Sequence, residues 1–243
     1  MKPCLLIFIT FYFNSIVYAE NIIHIGNFSK QDSRDITPKG WEPLNFSSIE
    51  NQTAYFLTQD SGKTIFKAVS HNSASGYVHK LSIDPKQFPI LTWEWKIDNL
   101  LKEADITQKS GDDYPARLYI TFDYDKERLS AFESFKIEFY KSLHGVYPPL
   151  AVLNYVWDNK KPIGFTTANA YTNRVQMIVS QTGESKVGQW VKQEVNIYED
   201  YKKVFGEAPL KITSVAIMTD TDNTASSATA YYGDIILKKI KIE

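Results

Sequence analysis

From residue 54 onward, short apolar runs alternate with turn residues, and within each run the side chains change character at every second position. That two-residue period belongs to strands, whereas a helix facing a core repeats every three or four residues. Runs rich in β-branched and aromatic residues fall at 55–58, 64–70, 77–83, 90–97, 116–123, 150–157, 174–180, 189–197, 212–219 and 228–240, with Gly, Pro, Asn and Asp between them. The spacing predicts an all-β sandwich or barrel. No linker, repeat or low-complexity stretch interrupts it, so residues 20–243 are expected to form a single domain. One segment breaks the pattern. Over 126–143, Leu129, Phe132, Phe135, Phe139 and Leu143 recur at helical spacing, and Gly145 and Pro148 follow. This predicts one amphipathic helical insertion lying across a sheet face. A shorter helix is expected over 199–205, stopped by Gly206.

Alternation also sorts side chains by face. In ARLYITFD, Ala116, Leu118, Ile120 and Phe122 take the core side, which sends Arg117, Tyr119, Thr121 and Asp123 to the other. In QWVKQEVNI, Val191, Val195 and Ile197 face inward, and Trp190, Lys192, Glu194 and Asn196 share the polar side. Trp93 and Trp95 run in phase with Leu91 and Ile97, which favours the core over an exposed platform.

The first 19 residues follow a different rule. Lys2 precedes an apolar run over 5–18 broken by Thr10, Asn14 and Ser15, and Val17-Tyr18-Ala19 puts small side chains at the minus-three and minus-one positions before Glu20. This is the pattern of a secretory signal peptide cleaved after Ala19, too short and too interrupted to span a bilayer. A periplasmic or secreted protein is therefore expected, without membrane insertion of the mature chain. Cys4 is the sole cysteine and lies ahead of the apolar core, unlike a lipoprotein cysteine. Its removal leaves no thiol for disulfides, zinc or nucleophilic catalysis. Lys2 is one of 27 basic residues, so the mature chain keeps 26 against 28 acidic ones. That balance leaves no electrostatic footprint for nucleic acid or an anionic membrane. Aromatic residues make up 14% of the sequence, a share suited to a β core or a sugar-facing surface. Asn27, Asn45 and Asn51 begin N-x-S/T sequons, a motif that is frequent by chance.

Enzymatic signatures are missing. The sequence has no G-x-S-x-G (GESKV at Gly183 lacks the last glycine), no P-loop, no G-x-G-x-x-G and no H-E-x-x-H. His24, His71, His79 and His144 include no close chelating pair. Two polar clusters remain. KSGDDYPARLYITFD joins Asp112 and Asp113 to Arg117 and Tyr119 across a loop and a strand start. That set can hydrogen-bond the hydroxyls of a ligand, or its carboxylates can serve only to position Arg117. MTDTDNTASSATAYYGDI places Asp220, Asp222 and Asn223 just after an apolar run. Counted as an EF-hand, it has Thr224 at the fifth position, Ala225 where glycine is needed and Tyr231 where a bidentate Glu is required, so an EF-hand is excluded. Three readings stay open for it: a calcium site of another kind, a turn built by its own side chains, or the edge of a ligand site. Carboxylates drawn from Asp112, Asp113, Asp220, Asp222 and Asp234 also leave open a glycoside hydrolase, whose two acids stand about 5–9.5 Å apart.

LTWEWKI, GDDYPARLYITFD, LNYVWDN, GQWVKQEVNIYEDYKKVFGEAP and AIMTDTDNTASSATAYYGDI follow one another between Trp41 and Lys239. In that order they resemble the bacterial family called domain of unknown function 3047. The resemblance implies an exported single domain with a galactose-binding-like jelly-roll β-sandwich, and it brings no established catalytic residue. Sugars offer apolar C–H faces to aromatic rings and hydroxyls to paired donors and acceptors. The expectation is a non-catalytic binding domain for a glycan or another hydroxyl-rich envelope molecule, with no cofactor and with calcium as the open alternative. Asp112, Asp113, Arg117, Tyr119, Asp220, Asp222 and Asn223 are the expected ligand-binding residues, with Trp157 and Trp190 as outlying aromatics. Asp220 and Asp222 are expected beside Arg117, which makes TDTDNT a rigid edge of that site. A carboxylate-dependent hydrolase, an envelope protein-interaction scaffold and a calcium-stabilised module are the competing classes.

Overall fold

The computed structural model describes residues 21–130, 137 and 150–240. Its strands are β1 (Ile22–Gly26), β2 (Glu42–Leu44), β3 (Ala54–Asp60), β4 (Lys63–His71), β5 (Ala74–Ile83), β6 (Ile90–Ile97), β7 (Tyr114–Phe122), β8 (Val152–Asp158), β9 (Thr166–Asn169), β10 (Thr172–Thr182), β11 (Val191–Asn196), β12 (Ile212–Asp220) and β13 (Ser227–Lys238). They form two sheets packed face to face, a jelly-roll β-sandwich. The first sheet runs β11-β6-β13-β4-β3, with β1 also paired to β13, and the second runs β2-β5-β12-β7-β8-β10-β9. Neighbours are antiparallel except β8 and β10, which lie parallel.

The strands expected from period-two runs are all present, and β6 has the expected bounds. Three more strands carry no such signal. β2 is three residues with Pro43 at its centre, β9 is the polar run TTAN, and β1 is a five-residue strand. Short edge strands of this kind need little apolar alternation, because they border a sheet rather than fill it. The short helix, α1 (Ile197–Phe205), begins two residues earlier than expected. The Asn196 side chain caps its start by accepting from the Glu199 N–H at 3.1 Å, and Gly206 ends it in the left-handed region. The expected insertion over 126–143 opens with a 3-10 turn at Lys126–Arg128, and Ile137 is helical and buried; residues 131–136 and 138–143 lie outside the described residues, as does the signal segment. Among the described residues no helix is long and apolar enough to cross a membrane.

The core lies between the sheets and is rich in aromatic rings. Trp93 and Trp95, at 1% and 0% exposure, are core residues as their phase predicts. Trp95 meets Trp157 from the opposite sheet with ring centroids 6.0 Å apart, and Trp93 meets Tyr155 at 5.3 Å. Burying each such side chain stabilises the fold by about 1.5–3 kcal/mol. The inward side of β7, Ala116 to Phe122, joins the same cluster.

Candidate functional site

Two polar assemblies stand on opposite sheets. The first arises because β7 and β12 are neighbours, so the two acidic segments meet although 103 residues separate Arg117 from Asp220. Arg117 Nε donates to Asp220 Oδ1 at 2.7 Å and Arg117 Nη2 donates to Asp220 Oδ2, a bidentate fork. Nη2 also donates to the Asp112 carbonyl at 2.5 Å, and Nη1 reaches Asp112 Oδ1 at 3.5 Å. The Tyr114 N–H adds a bond to Asp220 Oδ1 at 3.2 Å, and Asn169 Nδ2 donates to Asp112 Oδ2 at 3.1 Å. Burial works against the guanidinium charge, but the neighbouring Tyr119, Asp112, Tyr114 and Asp113 together outweigh it and raise the Arg117 pKa.

Alternation therefore assigned Arg117 to the correct side of β7, but that side is covered. The guanidinium lies 4.5 Å from the Tyr114 ring centre, and Tyr114 belongs to a second small core with Ile106, Val156, Met177 and Val179. Arg117 is 3% exposed and Asp220 2%. The pair is a buried post tying β7 to β12, and the guanidinium bonds described go to Asp220 and Asp112. Tyr119, half-buried on the same side, points its hydroxyl at Met218 Sδ, 3.8 Å away.

Asp113 is wholly buried and serves the TDTDNT turn. Its Oδ1 accepts from the Asn223 N–H at 3.2 Å, and its Oδ2 accepts from the Thr224 N–H at 2.7 Å and the Thr224 hydroxyl at 2.6 Å. Ala225 takes φ 49° in the same turn. The loop is thus closed by a carboxylate from another segment. Asp222 stands close by: one oxygen each of Asp113, Asp220 and Asp222 lie within 4.8 Å of one another. A calcium ion takes six to eight oxygens, and those of Asp113 and Asp220 already accept from N–H, O–H and guanidinium donors. Three carboxylate oxygens are half of the smallest such shell, and in this structure the bonds accepted by Asp113 and Asp220 brace the turn.

Burial first, and the Asp113 charge next, raise the Asp222 pKa above its ordinary 3.8. Ionising a carboxyl with a raised folded-state pKa opposes folding at every pH above the unfolded value. Asp222→Asn is therefore expected to raise the melting temperature at pH 7, and its advantage is expected to disappear in scans below pH 3.8. An unchanged melting temperature at pH 7 would contradict this.

Trp157 is corrected from outlying platform to core. Every residue of β8 is buried, so alternation cannot separate its faces, and the Trp157 indole N–H is held inside by the Gly183 carbonyl at 3.3 Å. It meets no ligand at the surface.

Trp190 builds the second assembly, on the outer side of the first sheet. Its Nε1 donates to Asp60 Oδ2 at 2.8 Å, and Lys96 Nζ donates to the same oxygen at 2.6 Å. These bonds, that from Lys96 first, hold the Asp60 carboxyl below the ordinary carboxylate range. Lys96 Nζ also stands 4.2 Å from the Tyr231 ring centre and 5.4 Å from that of Trp190. Between the buried Tyr232 and Ile235, β13 departs from regular pairing with β6, and Gly233 and Asp234 occupy the bulge. A Cβ on Gly233 would lie 3.2 Å from Glu94 Cβ and 3.5 Å from Trp190 Cζ3, so glycine lets the indole settle against the sheet. Asp234 accepts from the Ser29 N–H at 2.8 Å and the Ser29 hydroxyl at 2.6 Å. Ser61 and Gly62, at φ 52° and 79°, make the two-residue turn of the β3–β4 hairpin and set Asp60 opposite Lys63. These parts enclose a cleft of about 350 Å³, within the roughly 300–1,000 Å³ of small-molecule sites.

The seven polar candidates thus gather at the Arg117 end, with Asn223 exposed at the turn, while Trp190 stands apart from them on the other sheet. Sequence reasoning put Trp190, Lys192 and Glu194 on one polar face, but it did not find Asp60, Glu94, Lys96, Tyr231, Gly233 or Asp234 around them. The Ser61-Gly62 dipeptide is the one local signal for this site, since it marks the hairpin tip.

Fold and cleft together define the class: a jelly-roll β-sandwich protein with a fixed indole in a polar cleft on one sheet. The chain belongs to the family described as Protein of unknown function (DUF3047), whose model matches residues 39–236. No curated protein matches it. Among solved structures it is similar to the family 11 carbohydrate-binding module of the cellulosomal cellulase Lic26A-Cel5E of Clostridium thermocellum. That likeness has 10% identity over 93% of this chain and 99% of that one, with a TM-score of 0.45. The family 30 module of Cel9D-Cel44B, also of Clostridium thermocellum, aligns at 11% identity over 91% and 99%, with a TM-score of 0.41. The CBM22-1 xylan-binding domain of Paenibacillus barcinonensis Xyn10C aligns at 14% identity over 92% and 100%, with a TM-score of 0.36. At these scores none of them decides what the cleft holds.

Proposed function

We propose that this is an exported, non-catalytic binding protein for a glycan or another hydroxyl-rich envelope molecule, and that the ligand seats in the Trp190 cleft. The observation that supports this most is the anchoring of Trp190, whose N–H is fixed by Asp60 and whose ring edge rests against Gly233. A ring held in this way has little rotamer freedom left to lose when the C–H face of a sugar stacks on it. The cleft lining supplies hydroxyls at Ser61 and Thr92, a carboxylate at Glu94 and ammonium groups at Lys63 and Lys192. A sugar hydroxyl both donates and accepts, so a mixed lining suits it better than either kind alone. Export rests on the pattern over residues 1–19, and the mature N-terminus is then Glu20.

The test is a glycan array probed with the mature protein, followed by calorimetric titration and recovery of the bound glycan. Saturable binding with the glycan recovered at its original length is the expected result. Shortening of the glycan would replace this reading by a hydrolase. A folded protein with no glycan response would overturn it in favour of a scaffold.

A further inference from the structure

Resting on that reading, we infer that the Trp190 cleft selects an electrically neutral glycan and disfavours uronic acids and amino sugars alike. The reason is that charges around the cleft compensate one another. Asp60 is bonded to Lys96 at 2.6 Å and faces Lys63 across the hairpin register. Lys192 and Glu94 are direct partners in the β11–β6 register. Lys238 pairs with Glu194 at 3.5 Å. Asp234 is met by the two neutral donors of Ser29. Four lysines therefore stand against four carboxylates, counting the groups in the lining and their ion-pair partners.

Such a cleft presents donors and acceptors without a net charge. A ligand carboxylate entering it gives up hydration and meets like charges as closely as opposite ones, and the same holds for an ammonium. A hydroxyl gives up less on desolvation. It can accept from a lysine and donate to a carboxylate at the same site. Affinity then derives from stacking on Trp190 and from hydrogen bonds, so it depends little on ionic strength. Asp60 and Asp234 are in addition held in place by local donors before a ligand arrives.

The experiment is calorimetric titration with tetramers of glucose, galactose and mannose, each beside its uronate and amino-sugar counterpart, at low and at physiological salt. The expected result is that a neutral tetramer binds at least about tenfold more tightly than either charged counterpart, with a Kd that does not move with salt. Glu94→Gln, which leaves the lysines in excess, is expected to raise uronate affinity several-fold and to make it salt-dependent. A uronate or amino tetramer bound as tightly as its neutral counterpart would overturn charge selection and leave glycan binding standing. A Glu94→Gln variant whose uronate affinity does not change would do the same. Failure of every tetramer and of the glycan array to bind the folded protein would overturn the glycan reading, and this inference with it.

Discussion

Asp220→Ala is expected to destabilise the protein by about 3–5 kcal/mol, because it leaves Arg117 charged, buried and stripped of its bidentate partner. For a domain of this size that corresponds to a fall in Tm of roughly 6–20 °C. Arg117→Ala is expected to cost about as much, since Asp220 then keeps only the Tyr114 N–H as a charge-stabilising donor. The two losses should not add. Once either partner is gone the other has nothing left to lose from that contact, so the double variant is expected to fall well short of the sum. Replacing both together with apolar side chains of similar volume should recover most of the loss, since a buried pair contributes little net stability beyond avoiding an orphaned charge. Urea denaturation of the single and double variants measures this, and strict additivity would show that the fork does not exist in solution. Neither variant should change glycan affinity in its folded fraction, because the pair sits on the sheet opposite the Trp190 cleft.

Trp190→Ala separates binding from stability in the other direction. A half-buried ring at a cleft floor contributes like an interface hot spot, so its removal is expected to weaken glycan binding by about 2 kcal/mol, roughly thirtyfold in Kd. Stability should change by about 1 kcal/mol or less, since the ring is outside the core. Trp190→Phe keeps a stacking surface but loses the bond to Asp60, and an intermediate affinity is expected. Gly233→Val places branched carbon where Glu94 and the indole now stand, so it should displace the ring and reduce affinity with Trp190 still present. Titration calorimetry beside thermal unfolding reads both quantities. A folded Trp190→Ala variant that binds glycan as well as the unaltered protein would remove the cleft from consideration.

The parts of this molecule that were legible from sequence are those in which neighbours in the chain determine the answer. The run 90–97 reads as a strand because Leu91, Trp93, Trp95 and Ile97 point one way and the residues between them the other. The Arg117 end was legible in part, since two acidic segments each next to a strand invite an ion pair. Its burial was not, because the Tyr114 ring over the guanidinium is itself packed with Val156, Met177 and Val179, on strands that no local pattern places beside it. The cleft was the least legible. Asp60, Lys96, Trp190 and Asp234 come from four different segments, and they converge only through the order of strands in the first sheet. That order is set by which surfaces pack, not by any local pattern. The bulge at Gly233, which makes room for the indole, follows from the same pairing and has no signature beyond a glycine in a strand.

The position of β13 has a consequence for how the chain acquires its structure. The last of the described strands is an interior strand of the first sheet: β6 lies along one side of it, and β4 and β1 share the other. Until Ser227–Lys238 is available, β6 and β4 have no common partner and β1 has none at all in that sheet. Synthesis from the N-terminus therefore delivers this strand after the twelve other described strands, and the first sheet is completed only then. Closing that sheet requires Ile22–Gly26 to find Ile235–Lys238 across almost the whole described chain, and contacts between segments so distant in sequence are slow to form because the loop entropy is lost before they reward it.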